Sequence, residues 1–241
     1  MKVFIYQILM AFLMINNEFL TNGHIWTKVL LKKNYLEYNK HYERFSVQSK
    51  YFCGNICEDD PLCKIWCYYD DITCILSSLI VSPNYKEKSN DSVKCYTRNR
   101  KDLAVGLTAY STKAELDHMK IETTTDGIYF NDRFKSIKTT NPWILYDLER
   151  PAIISEIRIG THWVHYSCMK IEIRIGDALS VNASLSSFNS LINIVDPCEY
   201  GKSIMHFKSK FPLTGRFVAV IQRGSDVVLI LNYIEIDGDF I

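Results

Sequence analysis

The distribution of cysteines constrains this chain more than any other feature. Six of the eight Cys in the 241-residue sequence lie in the segment from Cys53 to Cys95. An even number of Cys at such density indicates disulfides, which form in exported proteins. The pairs Cys53-x3-Cys57 and Cys63-x3-Cys67 could also bind zinc, but an exported chain favours disulfides over zinc.

The N-terminus indicates export. Lys2 precedes an apolar run over residues 3–15, which is too short to span a bilayer but suits a secretory signal. Small residues just before His24 predict cleavage there, so residues 1–23 are the expected signal peptide. A buried N-terminal helix is the alternative. We therefore expect a secreted, extracellular protein without a transmembrane segment.

Composition and charge argue against several functional classes. Hydrophobic residues make up 47% of the chain and aromatic residues 13%, which is enough for a packed core. The net charge of +1 provides no broad field to attract nucleic acid. The sequence contains no G-x-S-x-G, H-E-x-x-H, Walker or G-x-G-x-x-G motif, so we expect a protein that is not an enzyme. A secreted hydrolase or hydrolase inhibitor is the alternative.

The cysteine-rich region predicts one helix followed by a hairpin. Residues 49–61 predict a helix with Cys53 and Cys57 on one face, ended by Pro61. Residues 63–81 predict a strand, a turn at residues 70–71 and a second strand. A helix tied to two adjacent strands favours one nested set among the many possible pairings. That set is Cys53–Cys74, Cys57–Cys63 and Cys67–Cys95.

This region resembles the PAN/apple family. The resemblance rests on the helix with Cys53-x3-Cys57, the strand CKIWCYYD, the segment TCIL and the closing VKCYTR. It implies a small α+β domain, in which a sheet cradles one helix, with a role in binding protein or carbohydrate. The composition changes near Arg100, so we assign residues 24–100 to this disulfide-rich domain and residues 101–241 to a second domain.

The second region predicts a mainly β fold. A strand is expected to start at Pro151, because proline lacks an amide proton and is tolerated at strand starts and edges. Residues 171–175 alternate Ile with polar residues, which predicts one buried face with Glu172 and Arg174 on the polar side. Residues 215–223 and 227–238 predict two more strands. Several strands with long connections predict an antiparallel sandwich.

Five motifs in this region occur in a fixed order. They are DLAVGLTAYS, TTDGIYFNDRF, NPWILYDLERPAIISEIRIG, IEIRIGD, and GRFVAVI with LNYIEIDG. Together they resemble the discoidin-like (F5/8 type C) galactose-binding-like jelly roll, and within it the fucolectin (F-type lectin) branch. The resemblance implies an antiparallel jelly-roll β-sandwich over residues 101–241. It also implies carbohydrate recognition, on glycans or cell-surface glycoproteins, in innate defence or extracellular adhesion. The alternative is a protein-interaction or adhesion module whose sugar site has been lost.

In the fucolectin branch, a loop His and two basic residues contact the sugar. The motif register places those three positions near Lys138, at His162 and near Lys170, so the usual residues are replaced. One interpretation is a changed polar site of these three residues, with the ring of Trp163 or Tyr166 as a stacking face. The other is that the site no longer binds sugar.

Members of this family often bind a structural calcium ion through an Asp before a Gly, loop oxygens and a Glu on the last strand. The resemblance places Asp126, Ser136 and Glu235 as the candidate calcium ligands. Tyr233 occupies the position at which the Glu usually lies, which departs from the pattern. Calcium is therefore the one cofactor that the resemblance implies.

The segment THWVHYSC suggests a second metal reading. His162, His165 and Cys168, with Cys198 as a fourth ligand, have the donor types that zinc binds. Because the other six Cys are accounted for, a disulfide Cys168–Cys198 is the favoured interpretation in an exported chain.

The remaining polar candidates have structural or modification roles. Asp147 lies on an apolar strand and needs a partner, for which Arg216 is the candidate. His118 and His206 are isolated in sequence, which favours structural roles. The N-x-S/T sequons are candidate glycosylation sites in an exported chain: Asn90 and Asn182.

Overall fold

The computed structural model describes residues 18–21, 24–37, 43–87, 89–98, 100–129, 133–161, 171–177, 190–195 and 204–241. The chain divides into two compact units at Arg100/Lys101, where the sequence placed the domain boundary. Both units are built mainly of antiparallel strands. Among the described residues, no helix combines the length and apolar character needed to cross a membrane.

The first unit contains one antiparallel sheet and one disulfide-tied helix. Its elements are β1 (Glu18–Thr21), β2 (His24–Lys32), α1 (Lys33–Glu37), β3 (Glu43–Ser46), α2 (Lys50–Asp59), β4 (Ile65–Tyr69), β5 (Thr73–Ser77), β6 (Ile80–Val81) and β7 (Ser92–Arg98). The sheet order is β1-β2-β7-β4-β5-β3. Strand β1 belongs to the predicted signal segment and pairs with the start of β2, so cleavage before His24 would leave β2 at the sheet edge.

Helix α2 has the ends that the sequence predicts. Ser49 caps its start by accepting a hydrogen bond from the amide of Phe52, and the helix ends at Asp59, before Pro61. Asp70 and Asp71 make the tight turn of the following hairpin with φ values of 53° and 57°. The disulfides join the pairs that the sequence favoured: Cys53–Cys74, Cys57–Cys63 and Cys67–Cys95.

The core of the first unit combines these disulfides with aromatic rings. Trp66 stacks on Tyr96 with 4.1 Å between ring centroids, and Trp26 meets Trp66 edge-on at 6.0 Å. Both Trp side chains are fully buried. A unit of this size with little helix thus obtains its stability from cross-links and from a few large side chains.

The second unit is a jelly-roll sandwich. Its elements are β8 (Thr108–Ser111), a 3-10 turn (Ile121–Thr124), β9 (Ile128–Tyr129), β10 (Phe134–Lys135), β11 (Trp143–Gly160), β12 (Ile171–Gly176), β13 (Ser190–Val195), β14 (Ile204–Gln222), β15 (Ile230–Leu231) and β16 (Tyr233–Phe240). The main sheet has the order β13-β12-β14-β11-β16, and β8 also pairs with β11.

Two long strands bend and close this sandwich. The β11–β14 register shifts between Asp147 and Ala152, where Glu149 has φ of 67°. Before the shift β11 lies beside β8, and after it β11 lies beside β16. Both halves supply side chains to a single core, including Ile144 and Ile157, so the strands must fold over that core.

Two predictions about these strands were wrong. The strand expected to start at Pro151 begins at Trp143 and passes through the bend. Pro151 lies at the register shift, where its missing amide proton costs no ladder hydrogen bond. Ile171, Ile173 and Ile175 are buried as predicted, but Glu172, expected on an exposed face, is only 3% exposed.

The burial of Glu172 follows from a second apolar cluster. Leu145, Phe217, Ala219 and Ile221, with Trp143, form this cluster on the opposite face of the same sheet from the main core. Glu172 lies next to Ile221 in the register and pairs with Arg174 and Arg223, the latter at 2.5 Å. These hydrogen bonds offset the desolvation of the carboxylate and give it a pKa below its usual range.

Candidate functional site

The bend brings both ends of β11 to the same end of the sandwich. The amide of Gln222 donates to the carbonyl of Pro142, just before β11, at 2.9 Å. The amide of Asn232 donates to the carbonyl of Gly160, the last residue of β11, also at 2.9 Å. We call this the loop end, and it contains residues 136–142, Thr161 and residues 222–229.

Two hydrogen-bonded segments form a rim at the loop end. We define the rim as residues 136–142 and 223–229. Thr139 and Val227 exchange backbone hydrogen bonds of 3.0 Å. The amide of Asn141 donates to the carbonyl of Gly224 at 2.9 Å, and the amide of Gly224 donates to Oδ1 of Asn141 at 3.0 Å. These reciprocal contacts make the rim a fixed platform.

The rim concentrates unusual backbone conformations. Asn141, Gly224 and Asp226 all have positive φ, at 49°, 145° and 61°. Asn and Asp tolerate the left-handed region better than other side chains, and Gly adopts it freely. Such residues cluster at ligand sites, where the surrounding structure holds them in place.

Lys138, the first predicted sugar contact, lies on this rim. Its Nζ is 2.8 Å from Oδ2 of Asp226, and the two side chains are 63% and 74% exposed. An ion pair this exposed contributes little to stability, so Lys138 can exchange Asp226 for another partner at little cost. The other predicted contacts, His162, Trp163 and Lys170, lie outside the described residues, as do Tyr166, His165, Cys168, Cys198 and Asn182.

Thr161, the residue directly after β11 and before His162, is held in place by the protein. The hydroxyl of Tyr129 donates to the carbonyl of Thr161 at 3.0 Å, and Thr161 is buried. The ring of Tyr129 lies against Gly160 so closely that a Cβ there would be 2.7 Å from it. Glycine is therefore required at this position for the ring to pack as it does.

The candidate calcium ligands have protein partners. Oδ1 of Asp126 accepts from the amide of Ile128 at 3.0 Å. The hydroxyl of Ser136 donates to the carbonyl of Ile137 and accepts from the amide of Leu229, both at 2.9 Å. Within the described ranges, no group of three His, Cys, Asp or Glu is arranged to hold a metal ion.

Glu235, the third candidate ligand, is also engaged. It pairs with Arg158 and accepts from the hydroxyl of Tyr233 at 2.8 Å. Since Ser136 and Glu235 both contact other protein groups, the structure provides no observation in favour of calcium at these residues. Calcium binding stays a prediction from the resemblance.

A charged network covers the outer face of β11 beyond the bend. The carboxylate of Glu156 contacts Arg158 and His206 at 2.8 Å each, and Lys208 at 3.4 Å. Burial raises the pKa of Glu156, but the hydrogen bonds with His206 and Arg158 outweigh burial and lower it. His206, isolated in sequence, thus has a carboxylate partner, whereas His118 is exposed.

The bend end, opposite the loop end, contains the predicted ion pair. Arg216 binds both carboxylate oxygens of Asp147 at 2.7 Å, in the two-point geometry that Arg and carboxylate favour. The hydrogen bonds from Arg216 hold the pKa of Asp147 below its usual range. The prediction that Arg216 is the partner of Asp147 is confirmed.

Gln222 lies at the loop end, and no sequence motif marks it. This residue ends β14 and its side chain is fully buried. A polar residue before the turn RGSD is typical of an exposed strand end, so no local pattern predicts its burial. Its burial follows from the packing of the sandwich.

Comparison with known proteins supports the fold of the second unit. The chain is similar to the fucolectin of striped bass (Morone saxatilis) serum, with 25% identity, a TM-score of 0.52 and 58% of this chain covered. It spans about half (49%) of that lectin structure. No protein-family model matches the chain, and no curated protein matches it.

Two further structures show weaker similarity. A Streptococcus pneumoniae fucose binding module is 10% identical with a TM-score of 0.48, covering 63% of this chain and 99% of the module. Chitosan-binding module 1 of a Paenibacillus sp. IK-5 chitosanase/glucanase is 15% identical with a TM-score of 0.48, covering 58% and 100%. The fold similarity rests on the striped bass lectin. The PAN/apple resemblance of the first unit stays a prediction.

Proposed function

We propose that the second unit binds carbohydrate at its loop end. The observation that carries this proposal is the similarity to the striped bass fucolectin, in fold and at 25% identity. The loop end supplies what a sugar site needs, because a fixed rim holds donors and acceptors at the surface. The first unit, by its resemblance to PAN/apple domains, is proposed to assist in binding protein or carbohydrate.

Lys138, His162 and Lys170 are proposed to donate hydrogen bonds to sugar hydroxyls, and Trp163 to stack on the sugar ring. Among these, Lys138 has a described position on the rim. Its exposed pairing with Asp226 leaves both charges at the surface, so a hydroxyl can contact the ammonium and the carboxylate together. Calcium at Asp126, Ser136 and Glu235 is kept as a proposal that binding measurements with and without chelator can test.

A glycan array with the purified full chain tests the proposal. We expect binding to a limited set of glycans, and its loss in the variants Lys138→Ala, His162→Ala and Lys170→Ala. The matched control is Lys101→Ala, because Lys101 is 61% exposed and pairs with an exposed Asp239 next to the bend end. Flat signals from folded protein would reject the sugar site.

The second candidate function is a protein-interaction module without a sugar site. The replaced motif positions favour it, since Lys138, His162 and Lys170 stand where the fucolectin branch has its usual sugar-contacting residues. A flat array, combined with binding of the folded protein to deglycosylated cell-surface proteins, would support this function over the first.

We propose export and glycosylation for the whole chain. The disulfides of the first unit are consistent with an oxidising compartment. Asn90 is exposed beside β7, as an acceptor for glycan must be. Expression in eukaryotic cells should give protein in the medium, with an N-terminus at His24 and a mass decrease after glycosidase treatment.

We also expect no turnover of chromogenic glycosides, and measurable turnover would contradict the non-enzyme assignment.

A further inference from the structure

Strands β2 and β7 of the first unit form an antiparallel ladder that presents cations on one face. Residues directly opposite each other in such a ladder point to the same side of the sheet. On one side, the four successive rows are Trp26 with Arg98, Lys28 with Tyr96, Leu30 with Lys94, and Lys32 with Ser92. We call these eight residues the basic strip. Each row contains one cation, and the cations come from β7, β2, β7 and β2 in turn.

The basic strip lies on the side of the sheet that carries helix α2. Trp26 belongs to the cluster that contains the helix residues Cys53 and Cys57, and Tyr96 packs against that cluster. On the opposite side of the same ladder, Leu31 is fully buried. The two strands thus use the opposite side for packing and present their cations on the helix side.

The four cations of the strip are accessible and have no counter-charge beside them. Lys94 is exposed, and the other three are partly exposed. None of the eight strip residues is acidic. Within the part of the chain that the structure describes, none of the four cations forms an ion pair. Like charges held on one face raise each other's energy, so an anion that binds between them is stabilised.

Arg98 at the end of the strip has unused hydrogen-bonding capacity. Its guanidinium group lies over the ring of Trp26, with 5.8 Å to the ring centroid. Its Nε is buried and has no hydrogen-bond partner in the described ranges. A guanidinium group has five N–H donors in a rigid plane, so Arg98 can donate to an anionic group that reaches it.

The spacing of the rows indicates what kind of anion fits. An antiparallel strand rises about 3.4 Å per residue, so rows on one side are about 7 Å apart and four rows cover about 20 Å. The net charge of the chain is only +1, so the strip is a local concentration of positive charge. A small anion would contact one or two rows, whereas a linear polymer with anionic groups along its length can contact all four.

Helix α2 restricts the shape of the partner. The helix packs on β4 and β5, on the same side of the sheet as the basic strip. A helix with its side chains is about 10 Å thick, so it stands above the neighbouring strands. A flat bilayer would contact the helix first, whereas a thin chain can lie along β2 and β7 beside it.

We propose that the basic strip of the first unit binds a sulfated polysaccharide. This inference rests on the proposed role of the first unit in binding protein or carbohydrate, and it does not depend on the loop end. Sulfate oxygens accept charge-assisted hydrogen bonds from ammonium and guanidinium groups. Leu30, which is 43% exposed between the cations, provides an apolar contact for the C–H groups of a sugar ring.

An acidic protein segment fits the strip less well than a polysaccharide. The backbone groups of β2 and β7 already pair with each other, so they offer no hydrogen bonds to a peptide that lies on the face of the sheet. Such a peptide would have to leave its own backbone groups to water. A polysaccharide has no peptide groups to satisfy.

The probe for the test is a size-defined heparin oligosaccharide, with its chemically desulfated counterpart for comparison. Calorimetric titration of the purified full chain measures the affinity at several salt concentrations. We expect binding of the sulfated chain that weakens steeply as salt rises, because binding releases counterions from the polymer. We expect no binding of the desulfated chain.

The double variant Lys28→Gln/Lys94→Gln removes two neighbouring charges and keeps polar side chains at the surface. We expect the affinity for the heparin oligosaccharide to fall roughly tenfold or more, with an unchanged melting temperature. The slope of log affinity against log salt should become shallower by about one for each lysine removed. Lys28→Arg/Lys94→Arg, which retains both charges, should retain the affinity.

The matched control is Lys86→Gln/Lys120→Gln. Both lysines are exposed and lie outside the strip, so this variant loses the same net charge. Its affinity should stay within about twofold of the unmodified protein, because charges outside the strip are screened by salt. Equal losses in the two double variants would show that binding depends on net charge alone, and would overturn the inference.

Other outcomes also decide the inference. Unchanged affinity in Lys28→Gln/Lys94→Gln overturns the site, and tighter binding of polyglutamate or of vesicles with anionic lipid overturns the ligand class. If the double variant does not fold, the single variant Lys94→Gln decides: a several-fold loss supports the site and unchanged affinity overturns it.

The loop end is tested separately. Lys138→Ala should leave binding of the heparin oligosaccharide unchanged, and Lys28→Gln/Lys94→Gln should leave binding of neutral glycans unchanged. Absence of neutral-glycan binding therefore rejects the sugar site of the second unit alone, and absence of heparin binding rejects the basic strip alone.

Discussion

The two ends of the second unit use their polar groups in opposite ways. At the bend end, Asp147 and Arg216 satisfy each other with two hydrogen bonds. At the loop end, Lys138 forms only an exposed ion pair with Asp226. The buried amide of Gln222 has no hydrogen-bond partner among the described residues. The bend end thus commits its polar groups to the fold, while the polar groups of the loop end stay available for the ligand that we propose.

The largest expected effect is at the bend end, from Gly215→Ala. A Cβ at Gly215 would lie 2.6 Å from the backbone nitrogen of Gly176, and backbone cannot give way as a side chain can. We expect the free energy of unfolding of the second unit to fall by about 3 kcal/mol. Chemical denaturation measures this. The exposed neighbour Thr214→Ala should change it by less than about 0.5 kcal/mol, and equal effects of the two would contradict the packing described.

The next effect is the pH dependence of the Asp147–Arg216 pair. Because the folded-state pKa of Asp147 lies below its ordinary value of 3.8, the pair stabilises the fold above that value. The contribution is lost as the pH falls through the lowered pKa. In Arg216→Gln, we expect lower stability at pH 7 and a flatter profile of melting temperature between pH 5 and 2. A profile parallel to that of the unmodified protein would exclude this role.

At the loop end, Asn141→Ala should have a moderate effect. Alanine lacks the side chain that accepts from Gly224, and it disfavours φ of 49°. We expect a loss of about 1–2 kcal/mol in unfolding free energy and weaker glycan binding as the rim loosens. Asn141→Gly, which keeps the backbone freedom, should lose less. A larger loss in Asn141→Gly would contradict the assignment of strain to this residue.

The smallest effect on stability is expected for Lys138→Ala. Its exposed ion pair with Asp226 contributes little, so thermal unfolding should be unchanged. Glycan affinity, by contrast, should fall several-fold, which Lys101→Ala should not reproduce. The two ends therefore differ in the property that a substitution changes most. Changes at the bend end mainly lower folding stability, and changes at the loop end mainly weaken glycan binding. Equal glycan affinity in the two lysine variants would remove Lys138 from the site.

Local patterns in the sequence predicted much of the fold. The helix Lys50–Asp59 followed from its Cys spacing and Pro61, and the pairing of Asp147 with Arg216 followed from the cost of an unpaired buried charge. The three disulfides of the first unit also match the favoured set. Each of these features depends on a short segment or on a few Cys or charged residues, whose chemistry allows few arrangements.

What the sequence did not predict depends on distant contacts. Pro151 suggested a strand start because the local sequence does not reveal the register shift. At that shift, a long strand accommodates proline without losing a ladder hydrogen bond. Glu172 suggested an exposed face because alternation does not reveal that a second apolar cluster covers it. Gln222 is fully buried although it ends a strand before a polar turn, because its burial depends on packing between distant strands. The sequence also contained no sign that Lys138 pairs with Asp226, because that contact comes from the packing of two separate loops.

The most direct test of carbohydrate binding at the loop end is a backbone amide chemical-shift titration of the full, isotope-labelled chain with the neutral glycan that it binds most strongly. We expect the largest shifts on residues 136–142 and 222–229, while the signals of Asp147 and of residues 213–216 at the bend end stay unchanged. Shifts confined to the first unit or to the bend end would contradict it.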